Sequence, residues 1–388
     1  MNYEKLNYRH ILSIFGFHNN SKTTMKSPID NPQEEMKVTS DCKFLSQTFN
    51  KNFKLVKNKL LKWFPDLIMN LLVESSSCYV CIGSNSKYVI KLFKNNLERD
   101  RVFRNEIKTL KEISKINTEC KLVDCMDLIN IKFLIMPYLG LDGIELVNQR
   151  MFNFDMFVSM ALSLVKNKDE IEKHNIIHAD IKLENITFHD NKWHLIDWGL
   201  SYSSKIKKPR VIGTVPYILP QLGNKRLYKE FVLELNNGYA DIHDVDYYSI
   251  ALTLLSSLNP LFKRRCDNCL NKTCRCPQNS CNDKTYYLYN IEELYQVLIG
   301  VRQFKFNDDI IGIPDTYYTH DLVRCLIQLV LSKWPVQYKY LAWSNTGSFC
   351  RIFGVNSSYD KVNDENVRNT DTRECWEEFK NTIEFLSS

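Results

Sequence analysis

Ile176-Ile177-His178-Ala179-Asp180-Ile181-Lys182-Leu183-Glu184-Asn185-Ile186-Thr187-Phe188-His189-Asp190-Asn191-Lys192-Trp193-His194-Leu195-Ile196-Asp197-Trp198-Gly199-Leu200 holds polar groups between two apolar pairs, Ile176-Ile177 and Leu195-Ile196. Short apolar runs closed by turn residues read as buried strands, which puts His178, Asp180, Lys182, Asn185, Asp197 and Gly199 in loops at strand ends. Loops carried by a rigid scaffold are where chemistry is usually placed. Asp180 and Lys182 lie two apart on an extended loop and so point the same way, setting an anionic base and a cation toward one reacting centre. Asn185 adds a neutral amide oxygen and Asp197 a carboxylate at the next strand end. Such oxygens suit Mg²⁺, which keeps several waters and takes the rest of its shell from substrate phosphates. The bland alternative is a β-hairpin whose polar loops have no task.

In order and spacing these residues resemble the catalytic loop and the metal-binding turn of eukaryotic protein kinases, H-R-D-x-x-x-x-N and D-F-G, here H-A-D-I-K-L-E-N and D-W-G. The resemblance implies an α+β, bilobal protein kinase-like fold with a small β-rich N-lobe and a larger helical C-lobe. It implies transfer of the ATP γ-phosphoryl group to protein hydroxyls, with ATP and Mg²⁺ as cofactors. Asp180 would orient the hydroxyl and accept its proton, Lys182 would stabilise the transferred group, and Asn185 and Asp197 would hold Mg²⁺. Lys182, two past the aspartate, resembles the serine/threonine subset, with Thr214 placed to hydrogen-bond that pair.

Upstream, Tyr79–Ile82 and Tyr88–Ile90 flank Gly83-Ser84-Asn85-Ser86, a hairpin signal. Lys91 ends the second strand in Val-Ile-Lys, similar to the family's V-A-I-K, and would hold the α- and β-phosphates of ATP. A helix from about Glu98 to Ile116 follows, and its Glu106 resembles the helix glutamate that pairs with that lysine. Phe133–Leu139 reads as the last small-lobe strand and hinge, with Met136 bounding the adenine pocket and backbone groups of Pro137 and Leu139 facing the base. Phe152–Lys173 is an amphipathic helix with Phe157, Met160, Ala161 and Leu164 as its buried stripe. Downstream, Gly213–Gln221 resembles the end of the family's activation segment, with Gln221 in place of a glutamate. Asp246 resembles the aspartate that braces the catalytic loop from the central large-lobe helix.

The pattern departs from the family at three places. Aligning Val80 with the valine of G-x-G-x-x-G-x-V puts Val73, Ser75 and Cys78 at the glycine positions, so Ser75 and Val80 are the nucleotide-facing candidates of a turn without glycine's conformational freedom. Glu74 adds a negative charge there. A pseudokinase or scaffold is therefore one alternative. A small-molecule kinase of the aminoglycoside or choline type is another, although such enzymes lack the Lys182 equivalent and the Gly213–Gln221 platform. Ala179 replaces the arginine that receives an activation-segment phosphate, so activity should not depend on phosphorylation of Ser201, Tyr202, Ser203 or Ser204. Trp198 replaces phenylalanine as an apolar plug.

The 388 residues are enough for two or three core units: an N-terminal extension with a flexible linker over 1–65, the N-lobe over 66–138 and the C-lobe over 139–388. A net charge of +6 is mild and does not indicate nucleic acid as a partner. There is no apolar run long enough for a membrane span and no signal-peptide pattern, so an intracellular protein, in cytoplasm or nucleus, is expected. The abundance of Asn, Lys and Ile is compatible with an AT-rich genome, such as that of a large DNA virus, in which case the compartment is an infected host cell's. Thirteen cysteines then read as free thiols and metal ligands. Five of them, Cys266, Cys269, Cys274, Cys276 and Cys281, fall in an insertion over 264–284. They make a candidate structural Zn²⁺ site, with the C-x-x-C pair supplying two thiolates and two of the other three completing a tetrahedron, on a knob suited to docking a partner.

Overall fold

A computed structural model of the chain describes residues 55–258, 304–333 and 372–387, apart from a few short stretches inside those ranges. The described residues divide into two compact units, one ending at Tyr138 and one beginning at Leu139.

In the first unit, residues 55–61 form helix α1. Five strands follow, β1 (Met69–Glu74), β2 (Cys78–Gly83), β3 (Tyr88–Phe93), β4 (Asp124–Leu128) and β5 (Ile131–Pro137), with α2 (Leu97–Ile116) between β3 and β4. The sheet runs β1-β2-β3-β5-β4 and every neighbour is antiparallel. Strand alternation gives it two different faces. One face presents Cys81, Ile90, Leu92, Met126, Phe133 and Ile135, and α1 with its following turn closes it with Val56, Leu60 and Phe64. Lys59 pairs with Asp124 at 2.8 Å, and the Trp63 indole donates to the same carboxylate at 3.1 Å. Phe64 lies so close over the end of β2 that a Cβ on Gly83 would fall 2.5 Å from its ring, so Gly83 is required by close packing. Truncating Phe64 to Ala should cost about 3–5 kcal/mol of stability, read as a lower denaturant midpoint. The other face, carrying Lys91, Phe93, Lys132 and Leu134, turns toward α2.

The second unit is mainly helical. Its strands are short: β6 (Leu141–Asp142), β8 (Ile186–His189) and β9 (Lys192–Leu195) form one sheet, and β7 (Ile176–Ile177) pairs with β10 (Tyr202–Ser203). Among the described residues its helices of six residues or more are α3 (Gly143–Asn148), α4 (Phe154–Lys173), α5 (Lys225–Asn237), α6 (Asp244–Leu258), α7 (Tyr317–Ser332) and α8 (Thr372–Ser387). Asp142 and Glu145 form a reciprocal capping box on α3, and Asn153 caps α4 through the Met156 amide. Phe157, Met160, Ala161 and Leu164 are buried along α4. α6 is buried from end to end, its Asp, Ser and Thr side chains included, and its serine and threonine hydroxyls donate to backbone carbonyls.

A charged cluster ties α4, α6 and α8 together. The Lys168 ammonium, fully buried, lies 2.7 Å from Glu172 and 3.0 Å from the His243 ring nitrogen and sits over the Tyr247 ring. Tyr247 and Arg373 both donate to Glu172, at 2.7 and 3.0 Å, and Trp376 stacks on Tyr247. Burial works against ionisation of Glu172, yet Lys168 and the donors around it win and bring its carboxyl from 4.5 down to about 2. Because the folded value is the lower one, this contribution is complete above pH 4.5 and is lost as the pH falls toward 2. Glu172→Gln should flatten the acid limb of a stability-versus-pH curve over that interval.

Two expectations about sequence need correction at this level. β1 extends through Glu74, and Glu74 is not an uncompensated charge: Lys94 pairs with it at 3.1 Å. Ser201 and Tyr202 are not open to modification. Ser201 is buried and donates to the Trp198 carbonyl at 2.6 Å, while Tyr202 is buried on β10.

Candidate active site

Each unit carries one set of candidate residues. In the first, the alternation of β3 buries Lys91 on the α2 side, where its ammonium lies 3.0 and 2.9 Å from the two oxygens of Glu106. Both side chains are almost wholly buried, 7% and 1% exposed, so removing either partner would leave the other a buried charge lacking this contact. Val80 faces Lys91 across β2 and β3, and Met136 lies opposite Val89 at the end of β5. Ser75 closes the turn between β1 and β2 with its amide on the Cys78 carbonyl, at 2.9 Å, and its hydroxyl accepting from the Cys78 amide at 3.0 Å. Lys94 donates to the Ser75 carbonyl at 2.5 Å and stands over the Tyr79 ring. Side-chain hydroxyl and ammonium bonds therefore hold this turn where glycines would have left the backbone unconstrained.

In the second unit, β7 delivers the chain to a loop whose backbone is fixed from α6. Asp246, with no solvent exposure, accepts from the His178 and Ala179 amides, both at 2.9 Å. That double acceptance lets Ala179 sit at φ +66°, a left-handed conformation a non-glycine residue rarely adopts. The segment returning through Gly213 comes so near that a Cβ there would lie 2.6 Å from the Ala179 carbonyl oxygen, and Gly213 itself has φ +125°. His178 contacts the Ile196 carbonyl through Nε2 at 3.0 Å and accepts from the Asp180 amide at Nδ1. Complete burial pushes the imidazole below its usual range, with Asp246 pulling the other way, so the neutral ring with its proton on Nε2 fits both contacts.

The catalytic-loop side chains converge within this unit. One oxygen of Asp180 takes the Asn185 amide nitrogen at 3.0 Å and the Lys182 ammonium at 3.1 Å, and Lys182 also donates to the Thr214 hydroxyl at 2.6 Å. The other oxygen, Asp180 Oδ1, is buried with no hydrogen-bond partner among the described residues. Asn185 uses its nitrogen twice, on the Asp180 carboxylate and on the Asp180 carbonyl at 2.7 Å, which leaves the amide oxygen for a cation. The Ile196 amide donates to the Asn185 carbonyl at 2.9 Å and ties β9 to this loop. Asp197 follows at φ +62°, its carboxylate accepting from the Gly199 amide at 3.4 Å. An amide oxygen and a carboxylate are the ligand types Mg²⁺ takes from protein, so the donor set fits that ion.

Trp198 packs its ring against His178, centroids 4.6 Å apart, and fills the plug position. Its indole N–H is buried without a partner among the described residues. An unmet donor costs about 1–3 kcal/mol, so Trp198→Phe should leave stability unchanged or raise it, read by the denaturant midpoint.

Matching against protein families gives the protein kinase domain over residues 74–311, more than half of the chain. The chain belongs to the protein kinase family. Over 66 residues it is 39% identical to "Probable serine/threonine-protein kinase fnkB" of Dictyostelium discoideum, a segment that is 15% of this chain and 12% of that kinase. For a kinase domain, ATP and Mg²⁺ are the implied ligands. Leu139 begins the second unit, directly after β5 and Tyr138, where the kinase hinge is expected. The candidate Zn²⁺ cysteines, Cys266, Cys269, Cys274, Cys276 and Cys281, lie outside the described residues. Among the described residues there is no cluster of three or more His, Cys, Asp or Glu suited to a metal and no helix long and apolar enough to cross a membrane.

The sequence reading missed several groups that shape this site. Lys94 was silent because it follows a motif lysine and looks like a solvated strand end. Lys333, whose ammonium pairs with Asp244 at 2.6 Å and whose carbonyl accepts from Gln221, joins the end of the activation segment to α6 across more than a hundred residues. No local pattern could have indicated that link.

Proposed function

We propose that this chain is an active serine/threonine kinase that transfers the γ-phosphoryl group of Mg·ATP to hydroxyls of protein substrates. The observation that carries the reading is the division of labour within Asp180: one oxygen is tied to Asn185 and Lys182, and the other is a buried acceptor with no partner among the described residues. A substrate hydroxyl is the donor that would complete it, and its proton would pass to that oxygen as the hydroxyl attacks. Lys182, bridging Asp180 and Thr214, places a cation where negative charge develops on the transferred group. Asn185 and Asp197 are the residues that would hold Mg²⁺, which would supply positive charge to offset that of the phosphates. Lys91, kept charged and oriented by Glu106, is assigned to the nucleotide phosphates, with Ser75 and Val80 at the turn above them and Met136 and Leu139 beside the base.

A binding-only scaffold is the second reading, favoured by one feature, the glycine-free turn at Ser75. The pairing of Glu74 with Lys94 weakens it, because the carboxylate that would repel phosphate is partly neutralised. Burial of Ser201 and Tyr202, together with Ala179 in place of arginine, supports activity without activation-segment phosphorylation. Alanine at Ser203 and Ser204 together should leave kcat within about twofold of the parent, since no arginine precedes Asp180 to receive a phosphate. A panel of acceptors tests the assignment: mixed proteins, serine/threonine peptides, tyrosine peptides, an aminoglycoside and choline, each with γ-labelled Mg·ATP. Label on serine or threonine is expected. Label confined to the small alcohols would move the chain to the small-molecule kinases, and label on tyrosine alone would overturn the specificity.

A further inference from the structure

The face of the first unit's sheet that meets α2 bears three contacts in a row, and only one of them has a part in the proposed reaction. On the helix, Asp100, Phe103 and Glu106 follow at intervals of three, the spacing that stacks side chains along one side. On the sheet, Phe93 and Lys132 are direct partners across β3 and β5, and Lys91 lies two residues from Phe93, so all three share a face. The two series meet rung for rung. Lys132 lies 3.1 Å from Asp100, the Phe93 and Phe103 rings meet edge to face with centroids 5.1 Å apart, and Lys91 holds Glu106.

Lys132 is the unexpected member. Its side chain is only 5% exposed, and it also donates to the Leu128 carbonyl at 3.2 Å and lies 3.7 Å from Asp127. Asp127 in turn lies 3.7 Å from Arg104 of α2. Lysines are almost never buried unless paired, because desolvating an ammonium is costly. An apolar residue could have filled the space, and the Phe93–Phe103 contact already supplies packing. Burial of apolar surface is non-directional and by itself leaves the helix some freedom to slide or turn about its axis, whereas an ion pair at a fixed place on a β-strand favours one register.

We propose that Lys132 is a positioning residue: paired with Asp100, it sets the register of α2 on the sheet and so helps keep Glu106 on Lys91. The consequence for catalysis rests on the assignment of Lys91 to the nucleotide. The structural part, a registered helix, does not.

The test uses the full chain and four variants, Lys132→Met, Lys132→Arg, Asp100→Asn and the Lys132→Met/Asp100→Asn double. Two quantities are read: amide hydrogen exchange along α2 compared with β1 and β2, and kcat and KM for Mg·ATP. Lys132→Met and Asp100→Asn should each speed exchange in α2 about tenfold while β1 and β2 keep their protection. Each should lower kcat by about tenfold with a smaller change in KM, as expected when an interaction that serves the transition state is loosened. The double variant should be no worse than either single one, because both break the same link, and Lys132→Arg should restore both readouts to within about twofold. Unchanged α2 exchange in the single variants, effects that simply add in the double, or loss of protection across the whole sheet that arginine does not restore would overturn the proposal. If the parent chain transfers no phosphate, the kinase reading fails by itself, and the exchange measurements still decide the role of Lys132.

Discussion

Asp180→Asn is expected to lower kcat for phosphotransfer by about 10²- to 10⁴-fold, the range supplied by a positioned general base, with little change in KM for ATP. The substitution is nearly isosteric. An asparagine can keep an oxygen toward the Asn185 nitrogen and Lys182, which bind Asp180 at 3.0 and 3.1 Å, so the loop geometry should survive. What is lost is the carboxylate oxygen that has no partner within the described residues and that would take the proton. An amide presents a poorer acceptor there, or a donor where an acceptor is needed. Circular dichroism and the denaturant midpoint should match the parent, which separates a lost base from a lost fold. A variant that retains more than a tenth of the parent kcat would remove Asp180 from the role of base.

The second large effect is expected at a residue that touches no substrate. Asp246→Ala should destabilise the second unit by about 3–5 kcal/mol and abolish measurable phosphotransfer, because it leaves two buried amides without an acceptor. Those amides belong to His178 and Ala179, immediately before Asp180, and the strained φ of +66° at Ala179 persists only while both are held at 2.9 Å. Asp246→Asn is the informative companion: its single carbonyl oxygen can satisfy one amide but sets an NH₂ group against the other. Its loss of activity should exceed its loss of stability, measured by kcat and by urea unfolding on the same preparation. Equal activity in the asparagine variant and the parent would show that the loop does not depend on this brace.

The family and the catalytic loop were legible because the chemistry there fixes residue types at short intervals. His178, Asp180, Lys182 and Asn185 lie within eight consecutive residues, and the structure brings both Lys182 and Asn185 within hydrogen-bond distance of the Asp180 carboxylate. Lys91 and Glu106 were legible only through their place in the family's order of motifs, a strand lysine followed by a helix glutamate, and the two meet at 2.9 Å. Legibility failed where an interaction joins residues far apart in sequence. The Lys333 bond to Asp244 spans 89 residues and the Lys132 bond to Asp100 spans a helix and a strand; each lysine alone reads as a solvated charge. It failed also where accessibility mattered. Ser201 and Tyr202 look like exposed hydroxyls in a polar run, but Ser201 turns in to the Trp198 carbonyl and Tyr202 is drawn inward by the pairing of β10 with β7, tertiary outcomes that composition does not encode. Glu74 misled in the same way, since its charge could be weighed only once Lys94 was found beside it.

The central question is whether a kinase domain with a serine turn in place of glycines still performs chemistry. The most direct measurement is the initial rate at which the full chain moves the γ-phosphate from ATP to a mixed protein substrate, with Mg²⁺ and with EDTA, followed by identification of the labelled amino acid. Mg²⁺-dependent label on serine and threonine is the predicted result. Nucleotide that binds, with or without Mg²⁺, while no label reaches any protein would contradict it and leave a scaffold in the shape of an enzyme.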